Sequence, residues 1–140
     1  MAVDASGNNF YSINYSRMYR FPINQSTRCP NTNYSAIWNW GGSYAFGMDN
    51  HPSDDSIFYL NNYYAHRVEK ITINSSKNNI QSRTFAGRCC TGKSTSTNIR
   101  MYYPWGVSVD KTNNRVISTT YVKMSVHVLD LNLGFLKELG

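Results

Sequence analysis

Apolar and polar residues alternate along this chain in short runs, separated by clusters of Asn, Ser, Gly and Asp. The pattern is clearest between Tyr103 and Gly140. Gly106–Asp110 (GVSVD) alternates, Lys111–Asn114 (KTNN) turns, and Arg115–Tyr121 (RVISTTY) is β-branched and alternating. A polar turn around Lys123 leads to a third strand over Ser125–Leu131, Asn132–Gly134 turns again, and Phe135–Leu139 closes the set. Period-two runs bounded by turn residues predict an antiparallel meander of four strands, not a helix. One such sheet cannot hide both of its faces, so a stable fold requires further copies stacked against it.

The chain supplies them. Aligned on the aspartate that ends the first strand, Asp4, Asp49 and Asp110 fall in register. A polar turn and an apolar strand follow each: Asn9–Ile13, Ile57–Leu60 and Val116–Thr119. In the third strand Met18 matches Val68 and Val126, Phe21 matches Ile71 and Leu129, and Ile23 matches Ile73 and Leu131. Each copy then reaches an asparagine, at Asn24, Asn74 and Asn132. Four strands in roughly 40–50 residues is the period of a β-propeller blade. The expected fold is therefore all-β: a partial β-propeller of three four-stranded antiparallel blades, at about 1–41, 42–87 and 103–140, with a polar inter-blade insertion at 88–102.

The residues Pro104-Trp105-Gly106-Val107-Ser108-Val109-Asp110, the run Ile57–Asn61 leading to His66-Arg67-Val68, and Arg83-Thr84-Phe85-Ala86-Gly87 resemble the NHL-repeat family of β-propellers. The resemblance covers essentially the whole chain. The first copy departs from it where Pro22 interrupts the third strand, and Ala45-Phe46-Gly47-Met48-Asp49 lacks the usual proline and glycine before its strand. The resemblance implies a rigid platform that binds protein or RNA. Relatives that are metal-dependent amidating lyases make a fragment of a propeller enzyme the alternative.

Length and composition bound these readings. At 140 residues with 41% apolar content, the chain is one domain at most and has no run long enough to span a membrane. Met1 aligns with the first apolar slot of an inner strand, so the chain is expected to be a piece of a longer propeller. Three blades fall short of the roughly 4–8 that close a ring, which leaves two sheet faces open. Covering ~400–500 Å² on one of them is worth on the order of 10 kcal/mol at most. Self-association of half-propellers into a six-blade ring is one expected outcome.

Candidate chemistry is sparse. Gly87–Ser94 satisfies the phosphate-binding pattern G-x-x-x-x-G-K-[ST], but no apolar helical period follows, and the helix that such a loop needs is missing. It reads as a Gly-rich loop between blades. Cys29, Cys89 and Cys90 lack zinc-site spacing and are expected as free thiols. The sequons at Asn14, Asn24, Asn33 and Asn74 carry little weight in a chain so rich in Asn and Ser. His51, His66 and His127 fall at different places in their blades, so no ring of metal ligands is expected, and no catalytic residue, metal or cofactor is assigned.

Charge carries more information. In a propeller the loops between strands two and three share a face with the inter-blade connections. Here those loops hold Arg17, Arg67, Arg88, Lys93, Arg100 and Lys123 with no Asp or Glu, whereas the opposite turns hold Asp4, Asp49, Asp54, Asp55 and Asp110. Tyr15, Tyr63, Tyr64 and Tyr102 lie on the basic face. The candidate binding residues are Arg17, Tyr63, Tyr64, Arg67, Arg88, Lys93, Arg100 and Lys123. Arg17 and Arg67, in register, also have a structural reading as arginines that tie adjacent blades. The net charge of +6 favours an acidic partner, with single-stranded RNA placed ahead of an acidic protein segment.

Overall fold

A computed structural model describes residues 1–4, 6–39, 44–74, 79–88, 99–132 and 134–140. Cys89, Cys90, Lys93 and most of the phosphate-loop-like stretch lie outside the described residues. Among those described there are twelve strands and no helix. Blade 1 comprises β1 (Ala2–Val3), β2 (Asn9–Asn14), β3 (Arg17–Pro22) and β4 (Ser35–Asn39). Blade 2 comprises β5 (Ala45–Asn50), β6 (Ile57–Asn62), β7 (Arg67–Asn74) and β8 (Asn79–Ala86). Blade 3 comprises β9 (Pro104–Asp110), β10 (Arg115–Thr120), β11 (Val126–Asp130) and β12 (Gly134–Leu139). Each set of four is an antiparallel meander, paired in chain order.

Period-two patterning sends alternate residues to opposite faces of each sheet, and two cores form between the blades. Tyr11 and Met18 of blade 1 meet Phe58, Leu60 and Ile71 of blade 2. Tyr59, Val68 and Ala86 of blade 2 meet Val109, Val116 and Leu129 of blade 3, with Met101 closing the gap. Blade 2 is thus apolar on both faces, which explains why β6 is buried through nearly its whole length. Burying each of these large side chains contributes about 1.5–3 kcal/mol.

Hydrogen bonds reinforce both interfaces. The Ser6 N–H donates to both carboxylate oxygens of Asp55 at 3.1 Å. Between blades 2 and 3, Ser118 Oγ donates to Asn61 Oδ1 at 3.1 Å in a fully buried pair, and Lys111 Nζ donates to Asn50 Oδ1 at 3.0 Å.

The strand registers revise the alignment of the three copies. Phe10, Phe58 and Val116 are equivalent, and their partners on the inner strands are Val3, Asn50 and Val109. The next position along is Asp4, His51 and Asp110, so Asp49 does not belong in the aspartate column. His51 stands there, and its ring accepts the Ser53 N–H at 3.2 Å much as Asp110 accepts the Thr112 N–H at 3.1 Å. The displacement also aligns Phe46-Gly47 with Trp105-Gly106, and Ala45 with Pro104. Blade 2 therefore has the glycine that it was expected to lack.

Both aromatic–glycine pairs sit in a β-bulge of the inner strand. Register shifts between Ala45 and Met48 in β5, and at the matching place on β9, opposite Ser118 and Thr120. A bulge redirects a side chain without ending the strand, and here it turns one aromatic ring in each of blades 2 and 3 toward the loop face.

Candidate interaction surface

Three kinds of segment meet on that face. The turn after β2 holds Tyr15, the turn after β6 runs from Tyr63 to His66, and the turn after β10 runs from Tyr121 to Met124. Backbone hydrogen bonds fasten these turns to the entries of the inner strands. The Ala45 N–H donates to the Tyr15 carbonyl at 3.0 Å, Tyr63 to Tyr44 at 2.7 Å, and Tyr121 to Tyr103 at 2.9 Å.

The side chains carried by these segments form one continuous aromatic belt across all three blades. Tyr15 meets Tyr44 edge-on at 5.1 Å between ring centroids, and Tyr44 meets Tyr64 at 5.1 Å. Tyr63 touches Tyr64, Phe46 and Tyr103 at 5.1, 5.2 and 4.5 Å. Phe46 and Trp105, the two bulge residues, stack at 4.3 Å with their planes 10° apart, and Trp105 reaches Tyr121 at 5.8 Å. On the other flank, His66 packs on Tyr102 and Tyr103 at 5.1 and 4.5 Å. Tyr15, Tyr64, Trp105 and Tyr121 remain about half or more exposed, at 59%, 54%, 48% and 62%. Offset and edge-to-face contacts of this kind each add about 0.5–1.5 kcal/mol, so the rings hold one another in place with their outer faces open to solvent.

Backbone strain gathers at the same face. Among the described residues, four of the six non-glycine residues with left-handed φ are Tyr15 (43°), His66 (56°), Tyr103 (52°) and Met124 (49°), all in belt loops. Such conformations cost on the order of 1 kcal/mol each and persist where the surroundings fix them. The Tyr103 N–H donates to His66 Nδ1 at 3.2 Å, which holds one strained residue against another. Burial pushes the His66 ring below its ordinary pKa, so the neutral form accepts this bond.

The predicted basic residues meet different fates. Tyr63 and Tyr64 sit at the centre of the belt. Arg67, beside them, is taken up by Glu69: its Nη2 and Nε each lie 2.8 Å from Oε1. Glu69 is buried and also accepts from Asn62 Nδ2 at 2.8 Å and from Ser82 Oγ. Arg67 thus pairs within its own strand β7, and Glu69 is what links β6, β7 and β8, where the structural reading had Arg67 joining adjacent blades. Lys123 lies 3.5 Å from Glu138, whose Oε1 is also 3.7 Å from the fully buried His127. Arg88 and Arg100 form a parallel bridge at the edge of the inter-blade insertion, where Arg88 is exposed. Arg17 is exposed beside Tyr15. Lys93 lies outside the described residues.

The face is accordingly more aromatic and less cationic than its loops predict. Glu69, two residues along β7 from Arg67, and Glu138 on β12 neutralise two of the cations. Phe46, Trp105, Tyr44, Tyr103 and Tyr121 were missing from the candidate residues. The legible signal for the central pair was the aromatic–glycine dipeptide repeated at Phe46-Gly47 and Trp105-Gly106.

Among the described residues no three His, Cys, Asp or Glu side chains converge to hold a metal ion. Cys29 is exposed and unbridged.

No protein-family model and no curated protein matches the sequence. Solved structures do match the fold. A functionally unknown protein from Desulfotomaculum acetoxidans aligns with a TM-score of 0.63 at 16% identity, over 99% of this chain and 40% of that one. Hydrazine synthase from Kuenenia stuttgartiensis aligns at 0.60 and 11% identity, over 98% of this chain and 34% of that one. A putative 6-phosphogluconolactonase from Bacteroides uniformis aligns at 0.59 and 11%, over 99% of this chain and 40% of that one. The chain spans well under half the length of each. These neighbours are propeller-like proteins, and the chain shares their fold as a three-blade, partial-propeller arrangement.

Proposed function

We propose that this chain is part of an NHL-type propeller that serves as a non-catalytic interaction platform, and that its aromatic belt binds single-stranded RNA. The observation that carries this reading is the belt itself: ten mutually packed rings that cross three blades, with Tyr15, Tyr64, Trp105 and Tyr121 presenting open faces. Every base has a π-face, so a rigid row of exposed rings can stack successive bases without reading their sequence. Arg17 at one end and Arg88 near the other place exposed guanidinium groups where phosphates of a bound strand would run. The role proposed is binding and not turnover, because the three histidines serve a turn, the belt and a buried contact with Glu138.

Titration of a dye-labelled mixed-sequence single-stranded RNA, followed by its fluorescence anisotropy and, for the wild type, by tryptophan emission, tests the reading. Binding should quench Trp105, and Trp105→Ala or Tyr64→Ala should each cost about 1–3 kcal/mol. Replacing Arg17 and Arg88 with Ser should lessen the slope of log K against log salt by about 0.7 for each phosphate no longer engaged. If the wild-type chain binds RNA no better than the Trp105→Ala, Tyr64→Ala double variant, the RNA reading fails. Tight binding of an acidic peptide in its place would point to the protein-partner form of the platform.

A further inference from the structure

A second site lies away from the belt, in a cleft of about 390 Å³ between the outer strands of blades 1 and 2. It is lined by Arg20, Ser35, Ala36 and Ile37 from blade 1 and by Ile73, Asn74 and Ile80 from blade 2. The cleft exists because neighbouring blades differ in length. In blade 1 the pairing of β3 with β4 ends at Arg20↔Ser35. The equivalent level of blade 2 is Lys70↔Arg83, and there the ladder runs on through Ile73↔Ile80 to Asn74↔Asn79. Blade 2 therefore projects an apolar ledge past the edge of its neighbour, and Ile37 forms the facing wall.

The chemistry of the walls is asymmetric. Ile37, Ile73 and Ile80 make an apolar floor, all three packed at the margin of the core between blades 1 and 2. Among the described residues Arg20 is the one charged residue on the lining; it is half-buried and makes no ion pair with any of them. Asp4 and Asp55 lie beyond it, lining a smaller adjoining cleft that shares Arg20 and Ile73. Both carboxylates are already engaged: Asp4 accepts from Ser6, Asn8 and Asn9, and Asp55 accepts from the Ser6 N–H. A guanidinium withdrawn from water beside apolar walls favours an anion placed on its open side, and its planar fork matches a carboxylate. The two aspartates behind it disfavour a doubly charged ligand. A volume near the lower end of small-molecule sites limits the apolar body to a modest size.

We propose that this inter-blade cleft binds a small amphipathic monocarboxylate, with its acid group on Arg20 and its hydrocarbon on Ile37, Ile73 and Ile80. Octanoate is a suitable probe, followed by calorimetry and by the methyl resonances of the isoleucines, with octanol and octyl phosphate as comparisons. Octanoate should bind saturably, shift the methyls of Ile37, Ile73 and Ile80, and exceed octanol by roughly tenfold or more in affinity. Arg20→Gln should bring octanoate down to the level of octanol. Ile80→Trp, which fills the cleft and leaves Arg20 in place, should abolish binding of both. Near-ultraviolet circular dichroism of each variant keeps loss of binding separate from loss of fold. The proposal is overturned if octanoate binds no tighter than octanol, if folded Arg20→Gln binds it unchanged, or if the shifts map to the aromatic belt. Equal or tighter binding of octyl phosphate would overturn the assignment to a monocarboxylate.

Discussion

The carboxylate of Asp49, in blade 2, accepts the backbone N–H of Val109, in blade 3, at 2.7 Å, and Ser108 Oγ donates to the same oxygen at 3.3 Å. Asp4 and Asp110, by contrast, spend their carboxylates on their own turns. Asp49 therefore clamps two inner strands together. Asp49→Ala should leave the Val109 N–H without its charged partner and cost about 1.5–3 kcal/mol, read as a lowered urea midpoint. Asp49→Asn keeps an acceptor and should recover part of the loss. An unchanged midpoint for Asp49→Ala would show that the clamp contributes nothing to stability.

This pair also marks where the sequence stopped being legible. Three four-stranded meanders could be read from alternation and turn residues, and the third-strand columns at Met18 and Phe21 superpose as aligned. The inner strand of blade 2 could not be registered in that way, because His51 stands where the other two blades carry aspartate, and Asp49, two residues earlier, drew the alignment to itself. The belt was half legible. Tyr63 and Tyr64 stand in a turn, where exposure is expected, whereas Phe46 and Trp105 stand in strands and reach the surface only because the bulge redirects them. The neutralisation of Lys123 was hidden because Glu138 reaches it from another strand, β12, whereas Arg67 and Glu69 stand two apart on one face of β7, a spacing the sequence does show.

At Gly47 the inner strands of blades 2 and 3 approach closely. A Cβ there would lie 2.6 Å from the Val107 nitrogen and 3.0 Å from the Trp105 carbonyl oxygen, both backbone atoms that cannot step aside singly. Gly47→Ala should push β5 off β9, cost about 1–3 kcal/mol and loosen the Phe46–Trp105 stack. Gly106→Ala, the equivalent change in blade 3, meets only the Thr119 hydroxyl and should cost less. Thermal melts with tryptophan fluorescence separate the two. Equal effects would show that the close approach is not what requires glycine at 47.

Acid should destabilise the fold in two stages. His51, His66 and His127 are all held below the ordinary histidine value of 6.5, in each case foremost by burial, which Lys70 reinforces at His51 and Lys123 at His127. Because the unfolded chain takes up these protons first, the stability from neutral histidines is whole above pH 6.5 and is lost as pH falls through the lower folded values. At Asp4 burial raises the carboxyl pKa, but hydrogen bonds from Asn9, Asn8 and Ser6 outweigh it, and the net value lies below 3.8. At Asp54 the bonds from Ser56 lead to the same direction. A second loss therefore begins below the ordinary carboxylate range. Melting temperature against pH should be flat above about 7 and fall below about 6.5, then fall again below about 4. His66→Gln, whose amide oxygen can still accept the Tyr103 N–H, should weaken the first fall. A profile that rises on acidification through pH 6 would contradict the assignment.

The repeat columns predict how a second copy would attach. Met18 and Ile71 share the core between blades 1 and 2, and Val68 and Leu129 share the one between blades 2 and 3. Each contact joins the Met18–Val68–Val126 column of one blade to the Phe21–Ile71–Leu129 column of the next. Two members of these columns lack a neighbour: Phe21 on blade 1 and Val126 on blade 3, both only half-buried, whereas the four paired members are fully buried. Phe10 and Tyr34 pack on Phe21 at 5.6 and 5.2 Å and widen that open face. Placing Val126 of one copy on Phe21 of another repeats the internal contact. The arrangement is heterologous, and done twice it closes a ring of six blades, within the roughly 4–8 that propellers use. Sedimentation of the isolated chain should therefore show concentration-dependent self-association. Phe21→Asp and Val126→Asp should each block it alone, because either change places an unpaired charge in the same interface. A mixture of the two variants retains one intact face from each and should recover a dimer but not the closed ring. A monodisperse monomer at all accessible concentrations, or association unaffected by either change, would show that these faces do not meet.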